Sequence, residues 1–443
     1  MTGFVIREYG LLAREGLPSS ISTDLNRQVI PASAWDWLLT EACGDGEHKQ
    51  LVRPRKADGH LHLQVLNYVG SVTTPCGTHI EILPKHSEHS DEASLLCGRR
   101  LLIKMLNRVY GLNMREFERA HLQLFKQPLP EVLIGHFLLE VKQLVRRGIR
   151  ADYRSQRDET TYLRGRLQIA AQLRQPPGRQ HHFQVEYDDF LPDRPENRLL
   201  HSSLKQVLRW SQSLENQRLA RELLFVFDDI PASSQYRNDF SRWQLDRNMQ
   251  HYRACKPWCE FILNEQTPFT LAGAHFGQSF LFPMNDLFEK YVARVLERQL
   301  ATGFQLREQA ASRYLIDSHN DKSLFQLRPD LLIRTRAKPV AVLDCKWKLL
   351  DQNKNHVAGN DEKTYGLSQA DIYQLYAYGQ KYLGGTGCVY LVYPKHGRLS
   401  QPLPVFHYDK YLSLHVIPFC LDDDHFCLPS GDAPEWIFQD ELS

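Results

Sequence analysis

The spacing of apolar residues changes along the chain, and each change predicts a different kind of element. Near the N-terminus, short runs alternate apolar and polar positions, as in LHLQVLNYVGSVTT (61–74) and THIEILPK (78–85), separated by the turn signal Thr74-Pro75-Cys76-Gly77. This predicts a β-rich module over residues 1–92, ending in the polar stretch SEHSDEA (87–93). From 93 to 265 the period becomes helical. SLLCGRRLLIKMLNRVYG (94–111) and EVLIGHFLLEVKQLVRRG (131–148) repeat apolar residues three and four apart, with Gly111 and Gly148 where C-caps belong. Further helices are expected over 195–212 and near 215–227, after a Pro/Gly break at 175–178. A mainly helical middle domain, 93–265, follows.

From 266 to 443 the order becomes helix, hairpin, helix, strand. MNDLFEKYVARVLERQL (284–300) is amphipathic, with Asn285 as its expected N-cap. FQLRPDLLIRTR (325–336) and KPVAVLDCKWKLL (338–350) are β-rich runs joined by a short turn. LSQADIYQLYAYGQKYLGG (367–385) opens with a Ser368–Asp371 capping pair and closes at Gly384, and CVYLVYP (388–394) is a buried strand stopped by Pro394. The fold class is α/β in the broad sense, an α+β multidomain chain. Its last domain has a mixed sheet flanked by helices.

Composition narrows the function class more than it selects one. With 443 residues, 42% hydrophobic and 24% charged, the chain is a multidomain globular protein. No run of apolar residues is long enough for a membrane span, and MTGFVIREYGLLAREG lacks a signal-peptide layout, so a cytoplasmic location is expected. The nine cysteines follow no disulfide spacing. Zinc sets can be drawn from Cys255 and Cys259, from Cys420 and Cys427, or from His79, His86 and His89. With no CxxC pair, ordinary reduced thiols are the expectation. A net charge of +2 does not describe a DNA-coating protein. Between Arg146 and Arg174, however, eight arginines face three acids, either a solvated basic face or a surface for phosphate or a partner.

The sharpest chemical signal is Arg328-Pro329-Asp330, followed by Asp344-Cys345-Lys346. Phosphodiester hydrolysis needs a cation held by two or more carboxylate oxygens, and a neighbouring lysine to orient water and neutralise the phosphate. With a turn near 336–339, Asp330 falls opposite Cys345 to within one residue of register, and Asp344 and Lys346 share a face. A one-residue offset or bulge turns Asp330 to that same face. A salt bridge at a strand end is the plainer alternative. Glu289 lies on the rim of the apolar stripe of its helix, and Gln374 and Tyr378 lie four apart on the next helix, suited to DNA backbone or to bracing the acids.

In order, these elements resemble the PD-(D/E)xK nuclease superfamily, particularly its RecB-like branch, over about 284–394. The resemblance implies Asp330 and Asp344 as ligands of Mg²⁺ (Mn²⁺ as a substitute), the Cys345 carbonyl as a third, Lys346 on water and phosphate, and Glu289 in support. DxK stands where ExK is commoner. Across most of 1–394 the chain is also similar to the McrC family, the nuclease subunit of modification-dependent McrBC restriction systems. That similarity rests on IREYG (6–10), YVG (68–70), EILPK (81–85), RRGI with the following DY (146–153), LRGRL (163–167), a Phe/Asp-type run ending in ENRLL (187–200), LFEKYV, RPDLLI, LDCKW and DIYQLYAY.

The resemblance implies a Mg²⁺-dependent endonuclease of type IV restriction that cuts double-stranded DNA carrying 5-methylcytosine or a similar mark. It would act with a McrB-like AAA+ GTPase hexamer that it binds and stimulates, with Arg146, Arg147, Arg164 and Arg166 as candidate contacts to partner or phosphate. No GxxxxGK[ST] occurs, so the chain binds no nucleotide through a P-loop of its own. Two other readings fit the residues: a stand-alone nuclease of repair or defence, and a non-catalytic adaptor between motor and DNA. Intact Asp330, Asp344 and Lys346 speak against the adaptor.

Overall fold

The computed structural model describes residues 3–16, 23–43, 50–85, 92–112, 127–176, 178–179, 181–244, 246–263, 279–352, 364–428 and 434–437. The chain divides into two compact units, one made of 1–111 with 268–443 and the other of 112–267. This grouping differs from a division at 92/93 and 265/266. The helix Glu92–Tyr110 and the N-terminal strands join the C-terminal segment in one unit.

The N-terminal segment forms two four-stranded sheets. One has the order β3-β2-β5-β4, from Leu11–Arg14 (β2), Arg27–Ile30 (β3), Val52–Ala57 (β4) and His60–Val65 (β5). The other runs β1-β7-β6-β11, from Gly3–Arg7 (β1), Tyr68–Thr73 (β6), His79–Leu83 (β7) and Ser279–Pro283 (β11). The last of these belongs to the C-terminal segment, so an antiparallel ladder stitches it to β6. Gly70 makes this possible. Its φ is +123°, and a Cβ there would lie 1.8 Å from the Phe280 carbonyl oxygen, so only glycine fits.

The second unit is less helical than its periodicity suggests. Around the helices Leu129–Arg147, Pro195–Trp210 and Leu214–Val226 it carries a sheet of Asp152–Thr160 (β8), Arg166–Leu167 (β9) and Phe183–Leu191 (β10), in the order β8-β10-β9. Much of the basic stretch therefore lies on strands. Gly165, at φ +68°, lets the LRGRL turn pass within 2.5 Å (as a built Cβ) of the Glu186 carbonyl. Asn197 of ENRLL is fully buried; its amide donates to the Arg150 and Pro192 carbonyls and its oxygen accepts from Tyr252. It ties the start of β8 and the end of β10, which lie side by side at one end of the ribbon, to helix Pro195–Trp210.

The C-terminal segment is built on a sheet ordered β12-β15-β16-β17-β19-β18. Its strands are Gln305–Glu308 (β12), Leu331–Arg334 (β15), Pro339–Cys345 (β16), Gly387–Pro394 (β17), Phe406–His407 (β18) and Leu412–Cys420 (β19), with His425–Phe426 (β20) turning back on β19. β16, β17 and β19 are parallel; the outer pairs are antiparallel, which makes the sheet mixed. Helix Gln369–Leu383 packs Leu375, Tyr378 and Tyr382 on Leu332, Val342, Val389 and Leu391. Helix Met284–Gln299 places Phe288 and Tyr291 against Trp347 and Phe419.

Three local expectations change. The run 325–336 is not one strand: Lys322–Leu327 (β14) pairs with Arg313–His319 (β13) as a separate hairpin, and the chain re-enters the main sheet at Leu331. Pro329, which has no N–H to give a ladder, sits at the break. The helix Met284–Gln299 has its N-cap two residues early, at Pro283 in place of Asn285. Ser368 holds the N-cap of its helix but makes no side-chain capping bond, while Gly384 ends that helix in the left-handed region at φ 68°.

Candidate active site

The β15–β16 hairpin brings the acids together. Leu331 stands opposite Leu343, so the next position along the ladder sets Asp330 beside Asp344, one residue from the central expectation and within its stated window. A register shift between Ile333 and Arg334 carries Asp330 from the level of Leu343, where the pairing at the turn would leave it, to the level of Asp344. Asp330 Oδ2 accepts the Cys345 N–H at 2.8 Å, which fixes the acid at the strand end. Asp344 is only 2% exposed. Its Oδ2 lies 2.8 Å from Lys346 Nζ, an ion pair without a well-aligned hydrogen bond.

Charge and burial oppose each other here. Burial first, then the neighbouring Asp344 and Glu289 charges, push the Asp330 carboxyl up to about 8, against the pull of the Cys345 N–H and Lys346. Burial also raises Asp344, which Lys346 partly offsets. Burial works against the Lys346 ammonium, but Asp344 and then Asp371 outweigh it and its pKa goes up. The cluster is short of positive charge for its carboxylates.

Glu289 joins through a residue the sequence did not mark. Gln309 Nε2 donates to Glu289 Oε1 and lies 3.5 Å from Asp330 Oδ1, while the Gln309 N–H donates to the Asp330 carbonyl at 2.8 Å. Burial raises the Glu289 carboxyl, and Gln309 pulls it back. Asp371, read from sequence only as a capping partner, has Oδ1 3.9 Å from Lys346 Nζ. Gln374 Nε2 donates to Tyr378 Oη at 2.7 Å, and Tyr378 donates to the Arg328 carbonyl at 3.0 Å, so this pair braces the Arg328-Pro329-Asp330 turn.

Two N-terminal motifs meet at Trp347, the residue after Lys346. Glu8 of IREYG is buried, accepts the Lys85 N–H of EILPK at 2.8 Å and the indole N–H of Trp347, and is pushed up to about 7 by burial. A cavity of about 210 Å³ beside them is lined by Glu8, Tyr9, Lys85, Trp347, Lys348 and Leu349.

The basic stretch behaves differently. Arg154 pairs with Asp193, Arg157 with Glu186, and Arg164 with Asp189, and the Arg164 guanidinium lies 4.0 Å over the Tyr187 ring. Arg166 stands opposite Glu186 in the ladder. Arg146 and Arg147 are exposed in the last turn of helix Leu129–Arg147. Among the zinc sets, Cys255 and Cys259 are buried thiols on one helix, and His79 Nδ1 lies 3.0 Å from Thr73 Oγ1. His86 and His89 lie outside the described residues. Cys420 gathers with Asp423 and His425.

Fold and site together define a mixed α/β protein whose central sheet ends in a buried acid, a half-buried acid and a lysine. The model of the McrBC 5-methylcytosine restriction system component family matches residues 63–394, and the chain belongs to that family. Over 248 residues it is 23% identical to the type IV methyl-directed restriction enzyme EcoKMcrBC of Escherichia coli (strain K12), covering 52% of this chain and 69% of that protein. Among solved structures it is similar to a chain of the Thermococcus gammatolerans half-complex of McrB AAA+ hexamers with bound McrC. The TM-score is 0.63, the identity 20%, and 95% of each chain is covered. A chain of the Thermococcus gammatolerans McrBC complex is also similar, at 24% identity, 69% and 90% coverage and a TM-score of 0.47. Among the described residues no helix is long and apolar enough to cross a membrane.

Proposed function

We propose that this chain is the DNA endonuclease subunit of a modification-dependent restriction complex. The observation that carries the reading is the meeting of Asp330, Asp344 and Lys346 at the end of β16. The donor set fits a hard divalent cation. Two carboxylates that repel each other when ionised, with the Cys345 carbonyl as a third oxygen, are what Mg²⁺ takes, with Mn²⁺ as a substitute. When bound, the cation supplies a Lewis acid for the phosphate and a more acidic water.

The protein's own groups do the positioning. The Cys345 N–H and Gln309 hold Asp330, and Tyr378 holds the turn that presents it. Lys346 stays charged at neutral pH beside Asp344, and is placed to orient the attacking water and neutralise the phosphate. Glu289 supports Asp330 through Gln309.

The family and the similar proteins support the rest of the reading. The substrate is double-stranded DNA carrying 5-methylcytosine or a similar mark. The motor is an AAA+ GTPase hexamer like the McrB to which the structurally similar McrC is bound. The chain works in the cytoplasm, and Arg146, Arg147, Arg164 and Arg166 are its proposed contacts to motor or phosphate. The test mixes the chain with its GTPase, Mg²⁺, GTP and methylated DNA, beside Asp344→Ala. Cleavage lost while GTPase stimulation persists supports the reading. Equal cutting by both proteins removes the site assignment, and cutting without the GTPase favours a stand-alone nuclease.

A further inference from the structure

The β19–β20 hairpin sorts its residues by face. Phe419 stands opposite Phe426, and their rings meet at 5.0 Å in the core. Cys420 stands opposite His425, so both side chains project to the other face. Cys427, two residues after His425, returns to that face, where its N–H donates to the Pro418 carbonyl at 2.8 Å. Asp423 lies in the turn between the strands. One ligand atom from each of Cys420, Asp423 and His425 lies within 4.8 Å of the others. Cys420 Sγ is 3.6 Å from Asp423 Oδ2, and Cys427 Sγ is 3.9 Å from His425 Nε2.

We propose that these four residues, Cys420, Asp423, His425 and Cys427, hold a structural Zn²⁺ ion. Sulfur, nitrogen and carboxylate oxygen are the zinc donor types, and a tetrahedral site places S and N or O about 3.5 Å apart. The two measured separations lie close to that edge; Cys420, Asp423 and His425 form the gathered set, and Cys427 joins it through His425 by turning its sulfur toward the ion. Two thiolates and a carboxylate around a dication leave one negative charge, and Lys395 neighbours Cys427 to balance it. The site is separate from Asp330 and Asp344 in donor chemistry: soft sulfur here, hard oxygen there.

The hairpin has a reason to be pinned. Asp424, in the same turn, pairs with Lys104 at 2.7 Å and Arg108 at 2.6 Å, and accepts from Tyr291. Lys104 also donates to the Leu421 and Asp422 carbonyls, and Gln299 donates to the Asp424 carbonyl. The turn thus clamps helix Glu92–Tyr110 and helix Met284–Gln299, which carries Glu289. A zinc-closed hairpin would fix that clamp.

The test uses the full-length chain, purified with zinc supplied and then dialysed against metal-free buffer, with metal content read by mass spectrometry. About one zinc per chain is expected in the wild type and in Asp344→Asn, falling at least about tenfold in Cys420→Ser, Cys427→Ser and Asp423→Asn. Asp423 is exposed, so its variant folds even where a cysteine variant does not. Cobalt replacing zinc should add thiolate-to-metal absorption that Cys420→Ser lacks. A wild type that retains no zinc, or Asp423→Asn and Cys420→Ser variants that retain a full equivalent, overturns the proposal.

Discussion

The strand end at Asp330 and Asp344 and the ribbon of β8 and β10 both concentrate charge, and they handle it in opposite ways. On the ribbon, arginines and acids pair on the surface: Arg157 with Glu186, Arg154 with Asp193, Arg164 with Asp189. Water screens these pairs, and each contributes little to stability. At the strand end three carboxylates, of Asp330, Asp344 and Asp371, act on Lys346, with Glu289 joined to Asp330 through Gln309, and the two strand-end acids are largely out of water. The lesson is that the number of charges in a segment says little about chemistry. An excess of one sign at a buried position is what marks the site.

That contrast is sharpened first at the acids. Asp330→Asn or Asp344→Asn should lower single-turnover cleavage by about 10³-fold or more, roughly 4 kcal/mol of barrier. Retained cleavage in either variant would break the comparison at its strong end. Lys346→Ala should cost about 10²-fold by the same assay.

Glu289→Gln keeps the contact to Gln309 and should cost about tenfold, mainly in the apparent Mg²⁺ affinity, read from cleavage across a metal titration. Tyr378→Phe removes both the bond to the Arg328 carbonyl and the one from Gln374 and should lower stability by about 2 kcal/mol, measured by denaturant unfolding. On the ribbon, Arg157→Ala should change stability by less than about 0.5 kcal/mol. A larger loss there would mean that the surface pairs matter as much as the buried site.

The parts of this molecule that a sequence reader can see are those governed by local period. The helices over 284–299 and 369–383, the buried strand 387–394 and the left-handed close at Gly384 follow from spacing of apolar residues and from glycine alone. Asp330, Asp344 and Lys346 were visible because a two-residue strand period and a short turn determine which side chains can meet. What stayed hidden depends on distant partners. β11 is a strand because β6 offers it an edge, and nothing within 279–283 says so. Gln309 reaches the site through a tight turn at φ 49°, and Asp371 reaches Lys346 because its helix crosses the strand end. Arg328-Pro329-Asp330 looked like the middle of one strand, since alternation continues through it. The missing N–H of Pro329 divides the run between two sheets.

The central claim, that a buried and a half-buried acid are held together for a divalent cation, is best tested without DNA or a partner. Asp330 has its folded pKa raised to about 8, above the unfolded value near 3.9. Its contribution to stability is therefore complete below about pH 4 and lost as pH rises through about 8. Mg²⁺ binds the ionised pair and should restore what is lost. Melting temperatures measured from pH 6 to 9, with and without Mg²⁺, should show a cation-induced rise that grows with pH in the wild type and vanishes in Asp344→Asn. An equal rise in both proteins, or none in the wild type at high pH, would contradict the account.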